Sequence, residues 1–188
     1  ACGLLYQVVW TRKLVLIFGS TSHAVSTVLS IFFLGLGVGS LAGGRLADRT
    51  RRTLFLYGVF EIIIGLWAVF FVLSVTYGEG VAVALLKSFE GSRAAGIGLR
   101  ALLALILLLV PVGLMGATLP LLAKYVTRQQ SVRGMPIGTL YAVNTFGAVV
   151  GCFFTGFFLV EQFGYTRTTM IGAAANILVG LVAVVLGW

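Results

Sequence analysis

The sequence predicts an all-α membrane protein of six transmembrane helices. Three observations carry this. Hydrophobic residues make up 60% of the 188 and charged residues only 10%, against about 25% charged in a soluble domain. The apolar residues come in long runs divided by short polar or charged breaks. A spanning helix takes about 20 mostly apolar residues to cross about 30 Å of hydrocarbon, so six helices with short loops use nearly the whole chain.

The expected spans are 1–19, 23–47, 54–77, 99–123, 137–160 and 168–188. Residues 1–12 cover only about 18 Å at 1.5 Å per residue. The favoured expectation is therefore a first helix that begins upstream of Ala1 and ends near Arg12. The other is a helix reaching Gly19 with Arg12 and Lys13 inside the membrane. His23, beside Ser22, is placed at the start of the second helix. The break from Gly78 to Gly98 holds Glu79, Lys87, Glu90 and Arg93 and suits a short amphipathic helix on the membrane surface. Pro111 and Pro120 lie inside the fourth span.

The net charge of +8 falls mostly between the apolar runs, where Lys and Arg set topology and meet anionic lipid. It is not read as a nucleic-acid surface. Arg45, Arg49, Arg51, Arg52, Lys124, Arg128 and Arg133 face one side. Lys87, Arg93, Arg100 and Arg167 face the other, joined by Arg12 and Lys13 if the first helix ends there. The larger group marks the cytoplasmic side, which puts the C-terminus in the cytoplasm.

Glycine recurs at helix-packing intervals, at Gly35, Gly39 and Gly43 and again at Gly147 and Gly151. Small residues four apart let helix backbones approach closely in lipid. A shift of 112 residues lays Gly35, Gly39 and Gly44 on Gly147, Gly151 and Gly156, and Arg12 on Lys124. A shift of 115 lays Glu61 on Asn176. Three-helix copies must lie in opposite orientations across the membrane. The expected architecture is thus two inverted three-helix repeats, like one half of a major facilitator.

Gly44, Asp48, Arg49 and Arg52 stand in a G-x-L-x-D-R-x-x-R pattern between the second and third spans. It resembles the major facilitator loop signature, whose acid and arginines form a latch rearranged in alternating access. Asp48 suits pairing with nearby arginines, and Arg49 or Arg52 suits reaching helix C-terminal carbonyls. The plainer reading is a basic topogenic loop. Longer strings occur in order: 6–12 (YQVVWTR), 32–49 (FFLGLGVGSLAGGRLADR), 116–125 (GATLPLLAKY), 140–151 (LYAVNTFGAVVG) and 156–164 (GFFLVEQFG). Together they resemble the membrane domain of bacterial proteins that fuse a major facilitator-like region to a spermidine synthase-like one. The resemblance implies a six-helix domain ahead of a cytoplasmic aminopropyltransferase-like domain of Rossmann type. Gln7 stands where that family often carries Glu.

The chain itself shows no glycine-rich strand-turn-helix fingerprint for a nucleotide-like cosubstrate and has five carboxylates. Aminopropyltransferase activity is expected only if the protein continues past Trp188. No cofactor is implied. His23 is the one histidine, and Cys2 and Cys152 lack ligand spacing, so no metal site is expected.

Ionisable and amide groups inside apolar spans are costly and often functional. Arg12, Lys13, Glu61, Asn144 and Asn176 form the candidate intramembrane set. Glu61 can hold a cation, relay a proton or pair with Arg12 or Lys13. Asn144 and Asn176 also fit as hydrogen bonds between helices. The leading functional expectation is a membrane domain that anchors a cytoplasmic domain and binds or moves a small cation such as a polyamine. Its partners are the bilayer and either further copies or other membrane subunits. The alternative is an accessory subunit of a larger membrane complex with no transport.

Overall fold

The computed structural model describes residues 2–18, 22–87, 93–129 and 137–188, and among them every regular element is helical. In chain order these are α1 (Cys2–Phe18), α2 (Ser22–Arg49), α3 (Thr53–Lys87), α4 (Arg93–Gln129), α5 (Ile137–Phe154), a π-helical turn (Thr155–Leu159) and α6 (Val160–Gly187). Among the described residues four stretches are long and apolar enough to cross a membrane: Ser22–Arg49, Thr53–Gly78, Ala95–Arg128 and Ile137–Gly187, with mean hydropathy from 2.0 to 2.5.

The last of these stretches is not straight. Gly164 takes φ 70 and ψ 175, a region open essentially to glycine alone. Beyond it Thr168 Oγ1 donates to the Leu159 carbonyl at 2.9 Å. Nine residues along a straight helix cover about 13.5 Å, so the chain has folded back at Gly164. The absence of a Cβ is what permits it.

Two helix seams organise the packing, and glycine builds both. On α2, Gly35 lies against Val112, Gly39 against the Gly113 backbone and Gly43 against Ala117. The numbers rise together, so α2 and α4 run parallel. On α3, Gly58 meets Gly180 and Gly65 meets Ala173 and Ile177. These numbers run in opposite senses, so α3 and α6 are antiparallel. A Cβ on Gly39 would stand against the Gly113 carbonyl oxygen and 2.7 Å from its carbonyl carbon. The four-residue glycine spacing on α2 is thus a seam, as the sequence suggested, and Gly43 rather than Gly44 continues it. A Cβ on Gly44 would meet open space.

α1 lies along both α5 and α6. Leu5 and Tyr6 touch Gly172 near one end, and Lys13 Nζ stands 5.5 Å from the centre of the Tyr165 ring near the other. Between them Tyr6, Trp10 and Phe71 stack in series, with ring centres 4.8 Å apart at each step. With Leu14, Val28, Ala68 and Leu108 they fill the core.

Proline inside α4 has a specific consequence. Pro111 has no N–H, so the Leu107 carbonyl four residues earlier loses its helical donor. Trp67 of α3 supplies a replacement: its Nε1 donates to Leu107 O at 3.0 Å.

Three expectations need correction. α1 runs unbroken through Arg12 and Lys13 to Phe18 rather than ending near Arg12. Helical hydrogen bonding continues because neither residue interrupts the backbone, and both side chains lie at the α1 end distant from Cys2. The Gly78–Gly98 break is not a separate surface helix. α3 continues to Lys87 and α4 begins at Arg93, with 88–92 outside the described residues. The fifth and sixth expected spans are joined, since helix continues from 137 through the π-helical turn to the bend at Gly164.

Candidate functional site: a polar cavity in the helix bundle

A cavity of about 560 Å³ lies among the helices, and every α-helix contributes to its wall. Glu61 and Tyr57 come from α3, Asn144 from α5, Asn176 from α6 and Thr118 from α4, with Cys2 from α1 and Phe32 from α2. Three of the candidate intramembrane residues, Glu61, Asn144 and Asn176, therefore share one space. They are 83 and 32 residues apart in sequence, and the bundle alone unites them.

Local geometry explains the convergence. Tyr57 and Glu61 are four apart on α3 and so lie on one face, where the Tyr57 hydroxyl donates to the Glu61 carboxylate. Asn176 is only 3% exposed, four residues before Gly180, whose contact with Gly58 holds α6 against α3. Asn144 is exposed on α5, a helix with no buried residue. Its amide borders the cavity from the loosely packed side. Ile64, Met115, Leu119 and Val143 make the rest of the wall largely apolar.

The cavity sits toward one end of the bundle. Glu61 lies eight residues into α3, or about 12 Å along its axis, and Asn144 lies seven residues into α5. Thr118 occupies the last third of α4, and Asn176 lies just past the middle of α6. Those helix ends belong to the side bearing the α2–α3 connection. The opposite half holds the Tyr6–Trp10–Phe71 stack, beside an open groove of about 590 Å³ between α2 and α4 that His23 and Ser26 border.

Arg12 and Lys13 do not join this site. Arg12 is exposed. Lys13 borders a small cleft with Phe71, Tyr165 and Thr169 at the far end of α1. Of the alternatives for Glu61, a pair with Arg12 or Lys13 does not fit this arrangement, in which its neighbour is Tyr57.

The loop motif is a separate constellation. Asp48 accepts from Lys124 Nζ at 2.7 Å, and Arg128 donates to the Thr50 carbonyl at 2.8 Å. Arg52 lies 6.0 Å from the Trp188 ring centre. The acid thus pairs with a lysine on α4 rather than with its neighbouring arginines. The helix-end carbonyl is reached by Arg128, not by Arg49 or Arg52. The parallel α2–α4 seam brings the two C-terminal ends side by side, which the linear sequence does not display. Arg133 lies outside the described residues, as does the segment 130–136 that carries it. Among the described residues no three His, Cys, Asp or Glu side chains gather as a metal site.

No family profile matches the chain, and no solved structure does. Among curated proteins, the chain is 28% identical over 188 residues to polyamine aminopropyltransferase 1 of Streptomyces coelicolor. It is 29% identical over 192 residues to polyamine aminopropyltransferase 2 of the same organism. These matches take in 98% and 100% of this chain. They cover 32% of each relative, so the chain spans about a third of their length.

Proposed function

We propose that this chain is a six-crossing membrane domain that holds a synthase-like domain at the cytoplasmic face and binds a small organic cation beside Glu61. The observation that carries the cation site is the convergence of Glu61, Asn144 and Asn176, with Tyr57 and Thr118, around one cavity. A carboxylate in a largely apolar enclosure is costly unless it meets positive charge or donors, and an ammonium ligand supplies both.

The fold-back at Gly164 supports counting Ile137–Gly187 as two crossings, and α1 supplies the remaining one. Parallel α2 and α4 with antiparallel α3 and α6 fit six alternating crossings. The two inverted three-helix units are supported by the offset that lays Glu61 on Asn176, since both residues face the cavity. The whole-chain similarity to two polyamine aminopropyltransferases supports the anchoring role. The aminopropyl chemistry in their names is assigned here to the two thirds of their length that this chain does not match. The basic groups around Asp48 support a cytoplasmic position, at a bacterial inner membrane, for the cavity end of the bundle and the C-terminus. The domain works as a homo-oligomer or beside other membrane subunits.

The test is saturation binding of a panel of aliphatic amines, spermidine included, to the full-length protein in lipid nanodiscs. At least one amine binds, and Glu61→Gln abolishes its binding while the circular dichroism spectrum is kept. Absence of binding by every amine, or binding indifferent to Glu61→Gln, removes the cation reading. A second reading, an accessory subunit without transport, draws on the exposed rings of Phe146, Phe153 and Phe157 along α5 and the π-helical turn. Stable co-purification with other membrane subunits and no amine binding is its expected result.

A further inference from the structure

We propose that the cavity selects compounds bearing a single ammonium group on an uncharged stem over diamines and polyamines. The proposal rests on the cation-binding reading above and narrows its ligand class.

Charge count is the first argument. Glu61 is the one carboxylate among the residues that line the cavity, and Tyr57, Thr118, Asn144 and Asn176 are neutral. An ammonium has three donors and no acceptor. The Glu61 carboxylate, the Tyr57 oxygen and the Asn176 amide oxygen are a matching set of acceptors for one such group. A second ammonium would be taken from water with no carboxylate to meet it, and an unpaired buried charge is strongly disfavoured.

The walls are the second argument. Ile64, Met115, Leu119, Leu122 and Val143 form an apolar lining that suits a hydrocarbon stem. About 560 Å³ lies within the range of roughly 300–1,000 Å³ typical of small-molecule sites.

The third argument comes from the cavity end of the bundle. Arg45, Arg49, Arg51, Arg52, Lys124 and Arg128 all lie at the helix ends on that side. Asp48, the one acid at these ends among the described residues, is occupied by Lys124. Repulsion from this basic group grows with each positive charge on an arriving ligand and falls most heavily on polyamines.

A matched pair isolates the effect of charge. Hexylamine and 1,6-diaminohexane share a stem and differ by one ammonium, and hexanol carries none. With full-length protein in nanodiscs and isothermal titration calorimetry, hexylamine binds at least about tenfold more tightly than the diamine, given the penalty on an unpaired charge. Hexanol does not bind measurably. Asn176→Asp adds a second carboxylate and reverses the order of the two amines. Should that variant fail to fold, Asn144→Asp on the exposed face of α5 makes the same addition. Equal or tighter binding of the diamine or of spermidine to the unmodified protein overturns the selectivity and leaves the cation site standing. So does an unchanged order in a folded Asp variant. If neither amine nor spermidine binds, or Glu61→Gln leaves binding intact, the cation reading fails together with the selectivity.

Discussion

Replacing Trp67 by Phe removes the donor that satisfies Leu107 O and keeps most of the ring. The Trp67 Nε1 to Leu107 O bond is 3.0 Å long and lies in a span, where no water can replace it. An orphaned buried carbonyl costs about 1–3 kcal/mol, while measured hydrogen bonds between membrane helices average about 0.6 kcal/mol. The expected loss for Trp67→Phe is therefore about 1 kcal/mol, where those two ranges meet. The carbonyl needs an outside donor only because Pro111 has no N–H. Pro111→Ala restores the helical donor, and in that background Trp67→Phe costs only a few tenths of a kcal/mol by loss of packing, roughly the scatter expected between uncoupled sites. The assay is equilibrium unfolding in mixed detergent and SDS micelles, followed by far-ultraviolet circular dichroism so that loss of an indole does not affect the signal. The coupling between the two positions is expected at about 0.5–1 kcal/mol. Equal costs of Trp67→Phe with and without Pro111 would refute the reasoning.

Three further outcomes are expected. Gly39→Ala forces a Cβ that now stands 2.7 Å from the Gly113 carbonyl carbon out to ordinary contact, at a cost of about 1–3 kcal/mol. Gly37→Ala on the same helix meets open space and leaves stability unchanged or slightly raised, so the two variants separate clearly in the same unfolding assay. Gly164→Ala puts a side chain at φ 70 and ψ 175, lowering stability by about 1–3 kcal/mol; an unchanged melting temperature contradicts the assigned turn. Asp48→Asn breaks an exposed pair with Lys124 and lowers the melting temperature slightly at low salt. At 0.5 M salt, where screening leaves little of a surface ion pair, the variant and the parent protein melt together.

What sequence reasoning could and could not reach follows from the range of each signal. Glu61, Asn144 and Asn176 stand out because a carboxyl or amide in an apolar run is expensive and therefore conspicuous. Their shared cavity was not visible, since it depends on three different helices meeting. Tyr57 and Thr118 carried no signal of their own: tyrosine and threonine are ordinary in apolar helices. The four-residue spacing of Tyr57 and Glu61, which sets them on one face of α3, is the one clue available. Lys124 as the partner of Asp48 was likewise hidden, because only the parallel α2–α4 seam makes residues 76 apart into neighbours. The end of α1 leaves two readings open in the sequence, and the longer one holds. Arg12 and Lys13 look like a boundary, although long basic side chains can leave the apolar zone while their backbone stays helical. Pro111 was visible as an interruption, but nothing local pointed to Trp67 as its remedy.

The bend at Gly164 also bears on mechanics. Two long helical arms meet at a single residue, so little slack exists between them. Peptide planarity leaves that residue two soft dihedrals, and its missing Cβ leaves them wide latitude. A small rotation at this joint, acting over the length of the arm, becomes a sideways sweep at the remote tip of α5. Asn144 rides near that tip, while Asn176 sits on the arm clamped to α3. One glycine thus sets the leverage with which one wall of the cavity can approach or leave the other.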